Sequence, residues 1–343
     1  MSDKKTMLIG PRYNINNDSI GGIVVLFEDL ISYYSFKRKK NIVIDTNMSN
    51  YRNKISGYIY VIYIYLKRIK EVDHVSLHGT SKDFLLLAPL LVFVSKIFNK
   101  ETSIRKFAGS FYEVYQKSNL IEKNVYRFVL KNSNYVFFET KYLVDKFKAF
   151  NQNTHWWPNS RSLSKIKVSK TFSKRFVFIS QVKRSKGIYE LMSASNKFTN
   201  DYTFHVYGPI LDNDFEKEIE KHPNIHYCGV LAPNEVTSTL MKYDVLVLPT
   251  YHTGEGYPGV ILEAFSIGMP VISTKWNSIP EIVKDEHNGL LVPIKEVGCI
   301  TNSILFFNQN NYTEFRLNAL DSFDMFNSEK VNFNFIKIIE SSN

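Results

Sequence analysis

Gly254-Glu255-Gly256-Tyr257-Pro258-Gly259-Val260-Ile261-Leu262-Glu263-Ala264-Phe265 sets the frame for the whole chain. Before it, Tyr243-Asp244-Val245-Leu246-Val247-Leu248-Pro249 has the composition of a buried strand. After Gly268 the run Pro270-Val271-Ile272-Ser273-Thr274 has it again. The order is strand, glycine-rich loop, short helix, strand. On a wheel of about 100° per residue, Val260, Ile261, Leu262, Ala264, Phe265 and Ile267 cover most of the helix. The remaining gap holds only Gly259, Glu263 and Ser266. A helix apolar nearly all round is buried, and an unpaired buried charge is costly, so Glu263 needs a partner or a ligand. Pro258 suits a helix start and Gly268 a position just past its end. The loop thus presents backbone N–H groups at a helix N-terminus, which attracts anions. Carboxylates beside an anion site suit a ligand carrying phosphates and hydroxyls, such as a nucleotide sugar. Two glutamates paired with nearby lysines in an ordinary βαβ unit satisfy the same spacing.

The Glu-x7-Glu pattern of Glu255 and Glu263, in this strand-loop-helix-strand setting, resembles the donor-binding motif of retaining glycosyltransferases of family 4. Those enzymes have the GT-B fold. The resemblance runs from Asp244 to Val292 and includes Ile279-Pro280-Glu281-Ile282-Val283 and Asn288-Gly289-Leu290-Leu291-Val292. It implies an α/β chain with two Rossmann-like domains whose parallel sheets face each other across a cleft. The expected division is residues 1–160 for the acceptor side and 161–325 for the nucleotide-sugar side. Residues 326–343 are expected to form a terminal helix that crosses back to the first domain. The alternation of short apolar strands and periodic helices points to parallel sheets independently of the family.

The bulk numbers agree with such a chain. Its 343 residues are comfortable for two domains. Two cysteines, Cys228 and Cys299, make no disulfide framework and fit a reducing compartment. The start lacks a signal-peptide pattern, since Met7-Leu8-Ile9 is too short an apolar run. Phe84 to Val94, interrupted by Pro89, reads as a buried helix, because a membrane span needs about 20 residues. Charge is unevenly placed. Residues 1–160 carry 24 Lys+Arg against 13 Asp+Glu, and residues 161–343 carry 19 against 20. A uniformly basic protein would suggest nucleic acid; a basic first half joined to a neutral second half suggests one domain facing an anionic membrane leaflet. A soluble domain with a solvated basic face is the plainer alternative. Tyr51 to Lys70 reads as an amphipathic helix, with Tyr58, Tyr60, Tyr63 and Tyr65 among isoleucines and Lys67, Arg68 and Lys70 behind them. Such a helix either lies in the membrane interface or packs on the core with a basic end.

Several further residues enter as candidates. A strand at Thr6–Gly10 leads to Gly21-Gly22 at a helix start, a phosphate-friendly turn; by resemblance Gly21 and Gly22 lie close to the donor diphosphate. His78 follows the strand Asp73–Leu77, a place where ligands bind in open α/β sheets; a satisfied core histidine fits the position equally well. The family often has a histidine after the strand Ser103–Phe107, but here the run is Lys106-Phe107-Ala108-Gly109-Ser110. On the acceptor side His78 is therefore a catalytic candidate, as Glu255 and Lys186 are on the donor side, and Arg105, Lys106, Gly109 and Ser110 are the further acceptor-side candidates. Thr154-His155-Trp156-Trp157-Pro158-Asn159-Ser160 resembles the segment that closes the first domain, and its tryptophans suit either sugar stacking or packing. In the second half the family pattern has an arginine and a lysine on the diphosphate. Lys186-Gly187 matches the second, while Gln181 stands at the first, leaving Arg184 or Lys183 to supply the charge. Backbone groups of Gly208 and Val230 are expected near the nucleobase.

The implied reaction is metal-independent, retaining transfer of a hexosyl group from a UDP- or GDP-linked sugar. It uses no cofactor. Glu263 would hold the ribose hydroxyls, Glu255 with Gly256 and Tyr257 the sugar, and Lys186 with Arg184 and the helix start at Gly259 the leaving diphosphate. The basic first half suggests a lipid-linked saccharide acceptor of O-antigen or capsule type. The protein is then expected in the cytoplasm, peripheral at the inner face of the membrane, with no nucleic-acid partner. Two rivals use the same residues: a nucleotide-sugar epimerase of the same fold, and a non-catalytic membrane-surface protein derived from a transferase.

Overall fold

The structure is a computed structural model that describes residues 4–14, 22–164, 169 and 171–341. The chain forms two compact units, Met1–Asn159 with Ser328–Asn343, and Ser160–Asn327. The first has the strands β1 (Thr6–Gly10), β2 (Asn41–Asp45), β3 (His74–Gly79), β4 (Glu101–Lys106), β5 (Tyr135–Phe138) and β6 (Thr154–Trp156). Its helices are α1 (Gly22–Phe36), α2 (Lys54–Arg68), α3 (Ser81–Leu86), α4 (Ala88–Ile97), α5 (Phe111–Lys117), α6 (Leu120–Asn132) and α7 (Lys141–Phe147). The second has β7 (Arg175–Ile179), α8 (Ile188–Ser195), β8 (Thr203–Tyr207), α9 (Phe215–Ile219), β9 (Ile225–Tyr227) and α10 (Val236–Leu240). It continues with β10 (Val245–Leu248), α11 (Gly259–Ser266), β11 (Val271–Thr274), α12 (Ile279–Ile282), β12 (Gly289–Val292), α13 (Val297–Phe306) and α14 (Gln309–Ser322). The last helix, α15 (Ser328–Glu340), belongs to the first unit.

Both sheets have six strands, all parallel, ordered β2-β1-β3-β4-β5-β6 and β12-β11-β10-β7-β8-β9. Parallel strands need helical crossovers, so both faces of such a sheet are covered. In the first unit Met7, Ile9, Val75, Leu77, Ile104, Val136 and Phe138 face one layer, with Val61, Tyr65, Leu91, Phe111 and Phe147 packed on them. Leu8, Tyr135 and Phe137 face the other, covered by Phe27, Leu30 and Tyr34 of α1 and by Val331, Phe335 and Ile339 of α15. The period of two along each strand sorts these side chains.

Local chemistry sets the boundaries. Pro89 lacks the N–H an inner helical turn needs, so the apolar run at 84–94 splits into α3 and α4, with Pro89 in the first turn of the second. Asn53 and Ser56 cap the start of α2 reciprocally, at 2.9 and 3.2 Å. Two elements carry no legible periodicity. β6 is only three residues long, and α14 buries Arg316 beside Tyr312, Phe315 and Ala319.

A buried polar row crosses β3 and β4 on the side of α1 and α15. His74 Nε2 meets Ser103 Oγ at 2.8 Å, Ser103 meets Ser76 at 2.8 Å, and Ser76 meets His78 Nε2 at 2.9 Å. Both histidines are fully buried, and burial lowers the pKa of each. Glu101 and Lys4 stand at the His74 end, and Arg105 at the His78 end. In the unfolded chain the histidines titrate near 6.5. Above that pH both states are neutral and stability is flat. Below it the unfolded chain gains protons that the native state refuses, so stability falls as pH drops. Each histidine contributes up to about 1.4 kcal/mol per pH unit. Melting curves between pH 7.5 and 5 are expected to show this decline, and His78→Gln to reduce its slope. A melting temperature that stays flat down to pH 5 contradicts the reading.

Candidate active site

In the second sheet the chain leaves β7 toward β8 and β9 on one side, and returns to β10, β11 and β12 on the other. The neighbours β7 and β10 therefore form the topological switch point, where open α/β sheets bind ligands beyond the carboxyl ends of their strands. Two loops meet there: 180–187 after β7, and 249–258 after β10. They are stitched together by the Tyr251 N–H, which donates to Ser185 O at 2.8 Å. Gly187 has φ +79°, and a Cβ there would run into the Pro249 carbonyl, so glycine is what lets the first loop close on the second. A third loop, after β11, adds Trp276 Nε1, which donates to His252 O at 2.8 Å.

The centre of this junction is an ion pair. Lys186 Nζ lies 2.5 Å from Glu255 Oε2, and the Thr250 hydroxyl donates to the same oxygen at 2.8 Å. Both charged side chains are only about a tenth exposed. Lys183 is close enough to feel them: burial lowers its pKa first, and the Lys186 charge lowers it further. His252 is shifted the same way, by burial and then by Lys186 and Lys183. Two amines, an imidazole and one carboxylate thus lie together, with the amines outnumbering the carboxylate.

Glu263 lies one turn into α11, and its partner comes from the segment between β6 and β7. Arg161 Nε donates to Glu263 Oε1 at 2.6 Å. The Arg161 guanidinium rests against Gly259, where a Cβ would strike Nη2. The narrow polar face of the helix is therefore matched by a cation. Arg161 and His252 are the two site residues the sequence reading misses. Neither sits in a recognisable spacing, and only folding brings position 161 to position 263.

The other candidates fall in different places. Gly256 and Tyr257 are buried, and the Tyr257 ring packs edge-on against Phe326 with its hydroxyl 2.5 Å from Glu281. The Arg184 guanidinium pairs with Asp214 at 3.2 Å and stacks on Tyr189 at 4.0 Å, while Lys183 feels the Lys186 charge. Asp212 and Asp214, an Asp-x-Asp pair, are taken up by Arg184 and Tyr189. Gly208 is structural. Its φ is +137°, a Cβ would meet the Ser180 carbonyl, and its N–H donates to Gly229 O at 2.9 Å. Val230 is exposed beyond β9.

In the first unit three acceptor-side candidates are corrected. His78, Arg105 and Lys106 are at most 1% exposed, which removes them from contact with substrate. His78 is ringed by Phe27, Phe107, Trp157 and Phe335. Arg105 lies 4.0 Å over the Trp157 ring and donates to Pro158 O at 3.1 Å, and burial brings its pKa to about 9. Lys106 covers the Phe111 ring at 4.8 Å, donates to Phe107 O and falls to about 8 by burial. Buried Glu139 lies between these cations, its pKa raised by burial. Gly109 is buried and Ser110 begins α5. Trp157 stacks on Phe335 at 3.9 Å, so packing, not sugar, occupies it. Gly21 lies outside the described residues. Gly22 lines a cavity of about 490 Å³ at the ends of β1, β2 and β3, with Tyr13, Asn47, Thr80, Lys82 and Asp83. This is again a switch point, since β1 neighbours both β2 and β3.

Residues 173–310 match the family described as glycosyl transferases group 1. A 41.2 kDa protein of the cps region of Klebsiella pneumoniae is 26% identical over 246 residues, 69% of this chain and 63% of that protein. The UDP-Gal:alpha-D-GlcNAc-diphosphoundecaprenol alpha-1,3-galactosyltransferase of Escherichia coli is 30% identical over 113 residues, 32% of this chain and 29% of that enzyme. The chain thus spans less than two thirds of these relatives. The solved structure of Anabaena Alr3699/HepE with UDP and glucose superposes with a TM-score of 0.73 at 14% identity, covering 99% of this chain and 100% of that one. Residues 173–310 thus resemble glycosyl transferases group 1, and the two all-parallel sheets give the chain the GT-B fold.

Proposed function

We propose that the chain is a retaining glycosyltransferase. It moves a hexosyl group from a UDP- or GDP-linked sugar to a lipid-linked saccharide, in surface polysaccharide synthesis of capsule or O-antigen type. The observation that carries the reading is the Lys186–Glu255 pair at the β7/β10 switch point, with Lys183 and His252 around it and Glu263 on the adjoining helix. The bond between the anomeric carbon and the diphosphate oxygen breaks, and negative charge grows on the leaving group. Lys186, Lys183 and the N-terminal end of α11 meet that charge without rearranging, which is where such groups are most effective. The acceptor hydroxyl bonds to the anomeric carbon on the same face, and its proton passes to the leaving phosphate oxygen. The positive charge comes from side chains and a helix end, so the reaction needs no metal. Glu255 orients the sugar hydroxyls while Thr250 fixes its carboxylate.

Support for the acceptor comes from the relatives, one from a cps region and one acting on a diphosphoundecaprenol-linked sugar. It also comes from the first unit. The outer face of α2 exposes Ile55, Ile59, Tyr60, Tyr63 and Leu66, all 47% exposed or more. A helix covering a sheet ordinarily turns polar residues outward, and this one is apolar on both sides. α4, which packs on α2, and α6, which packs on α4, add exposed Phe93, Ile97, Leu120 and Ile121. Together α2, α4 and α6 carry seven Lys+Arg and one Asp+Glu. No helix among the described residues is long and apolar enough to cross a membrane. We infer that the protein is peripheral, with this face resting on an anionic leaflet.

The test of the reaction is turnover with a panel of UDP- and GDP-sugars, with and without polyprenyl-diphosphate-linked saccharides. Nucleotide release that rises with acceptor, and a product retaining the anomeric configuration of the donor, are expected. Isomerised nucleotide sugar in the absence of acceptor would make the protein an epimerase instead.

A further inference from the structure

Glu263 is held in an uneven way. Its Oε1 accepts from Arg161 Nε at 2.6 Å, while Oε2 meets no hydrogen-bond partner among the described residues, and the side chain is 17% exposed. Arg161 is itself pinned. Its N–H donates to Phe326 O at 3.0 Å, its backbone pairs with Asn327, and Nη1 donates to Ser160 O at 2.9 Å. The guanidinium edge lies across Gly259, and only the missing side chain there leaves it room. The seat is not one that α11 by itself favours, because a cation at a helix N-terminus opposes the helix dipole. Glu263 is the group that makes the seat favourable, and one carboxylate oxygen remains for something else.

We propose that Arg161 is a positioning residue of the donor site. It fixes the Glu263 carboxylate through Oε1, so that Oε2 is presented to the vicinal ribose hydroxyls of a nucleoside diphosphate sugar. This rests on the donor reading given above. A free glutamate samples many rotamers and must give them up when it binds a diol. Arg161 removes that freedom before the nucleotide arrives, and preorganisation of this kind appears as affinity. A lysine would keep the charge at 161 but not the planar fork that fits Nε to a carboxylate while Nη1 reaches a carbonyl. The residue acts through Glu263 and does not itself touch the reacting atoms.

The experiment is a double-mutant cycle on the full chain, read by calorimetric binding of UDP, GDP and their 2′,3′-dideoxy analogues, with donor KM and kcat alongside. Arg161→Ala is expected to weaken nucleotide binding about tenfold and raise donor KM by a similar factor, with kcat within about twofold. Arg161→Lys recovers part of the loss. In the Glu263→Ala background, Arg161→Ala adds nothing further. The penalty for removing the ribose hydroxyls shrinks in Arg161→Ala, which a merely structural role would not cause. Arg161→Gln, which keeps most of the side chain, repeats the cycle if the alanine variant folds poorly. Full additivity of the two alanine variants, or an unchanged dideoxy penalty, overturns the proposal while leaving the donor reading intact. A wild-type chain that binds neither UDP nor GDP overturns both.

Discussion

Lys186→Ala is expected to lower kcat for sugar transfer about 10²–10³-fold, the usual cost of losing a preorganised group from a site of developing negative charge. Donor KM should move much less, because the lysine matters most once the diphosphate is leaving. The substitution has a side effect. It strips Glu255 of its cation and leaves a carboxylate, a tenth exposed, with Thr250 as its remaining side-chain partner. Breaking a fully buried pair this way costs about 3–5 kcal/mol; partial exposure and the threonine bond should reduce this to about 1–2 kcal/mol. Chemistry and folding can be separated with Lys186→Ala/Glu255→Gln. The double variant should melt near the wild type, having lost the orphan charge, and still turn over no faster than Lys186→Ala. Steady-state nucleotide release and calorimetric melting read the two effects. A Lys186→Ala enzyme within threefold of wild-type kcat, correctly folded, removes Lys186 from the mechanism.

Ile55→Glu/Ile59→Glu/Leu66→Glu should abolish binding to vesicles rich in phosphatidylglycerol. Burying such side chains at an interface is worth about 1.5–3 kcal/mol each at most, and each nearby Lys or Arg adds roughly 1 kcal/mol toward an anionic surface. Three exposed apolar contacts become three negative charges. A loss of at least 10²-fold in the vesicle partition coefficient is expected, with melting temperature unchanged because all three side chains already face solvent. Wild-type binding should weaken as salt rises, since the electrostatic part is screened within about 10 Å at 0.1 M. Equal binding to neutral and anionic vesicles at low salt removes the membrane reading. Concentration-dependent dimers that the triple variant abolishes would make the same face a subunit interface instead.

Much of the fold was legible because parallel sheets demand buried, apolar strands with helices between them. Thr6–Gly10 reads as a strand at its observed limits, since a short apolar run bounded by polar residues leaves little choice. β6 and α14 were not legible: one is too short to show a period, and the other buries an arginine where periodicity expects an apolar residue. Residue roles were less legible than elements. Arg105 and Lys106 look like ligand-binding cations, because basic residues at a strand end ordinarily face solvent or a ligand. Here aromatic rings and backbone carbonyls receive them.

The sequence by itself determined the strand-loop-helix-strand unit around Gly254–Phe265, the single carboxylate on the polar face of its helix, and the excess of positive charge in the first half. These are local properties of spacing and composition, and folding does not change them. Only the tertiary structure decided what the carboxylates meet. Glu255 finds Lys186 across 69 positions and Glu263 finds Arg161 across 102. Crossover connections bring the ends of β7 and β10 side by side and lay the segment at 160–162 along the start of α11. No local pattern encodes such a meeting, because the partners share neither a helix face nor a strand. The site is thus written in two places, in a motif that chemistry can read and in a topology that only the folded chain displays.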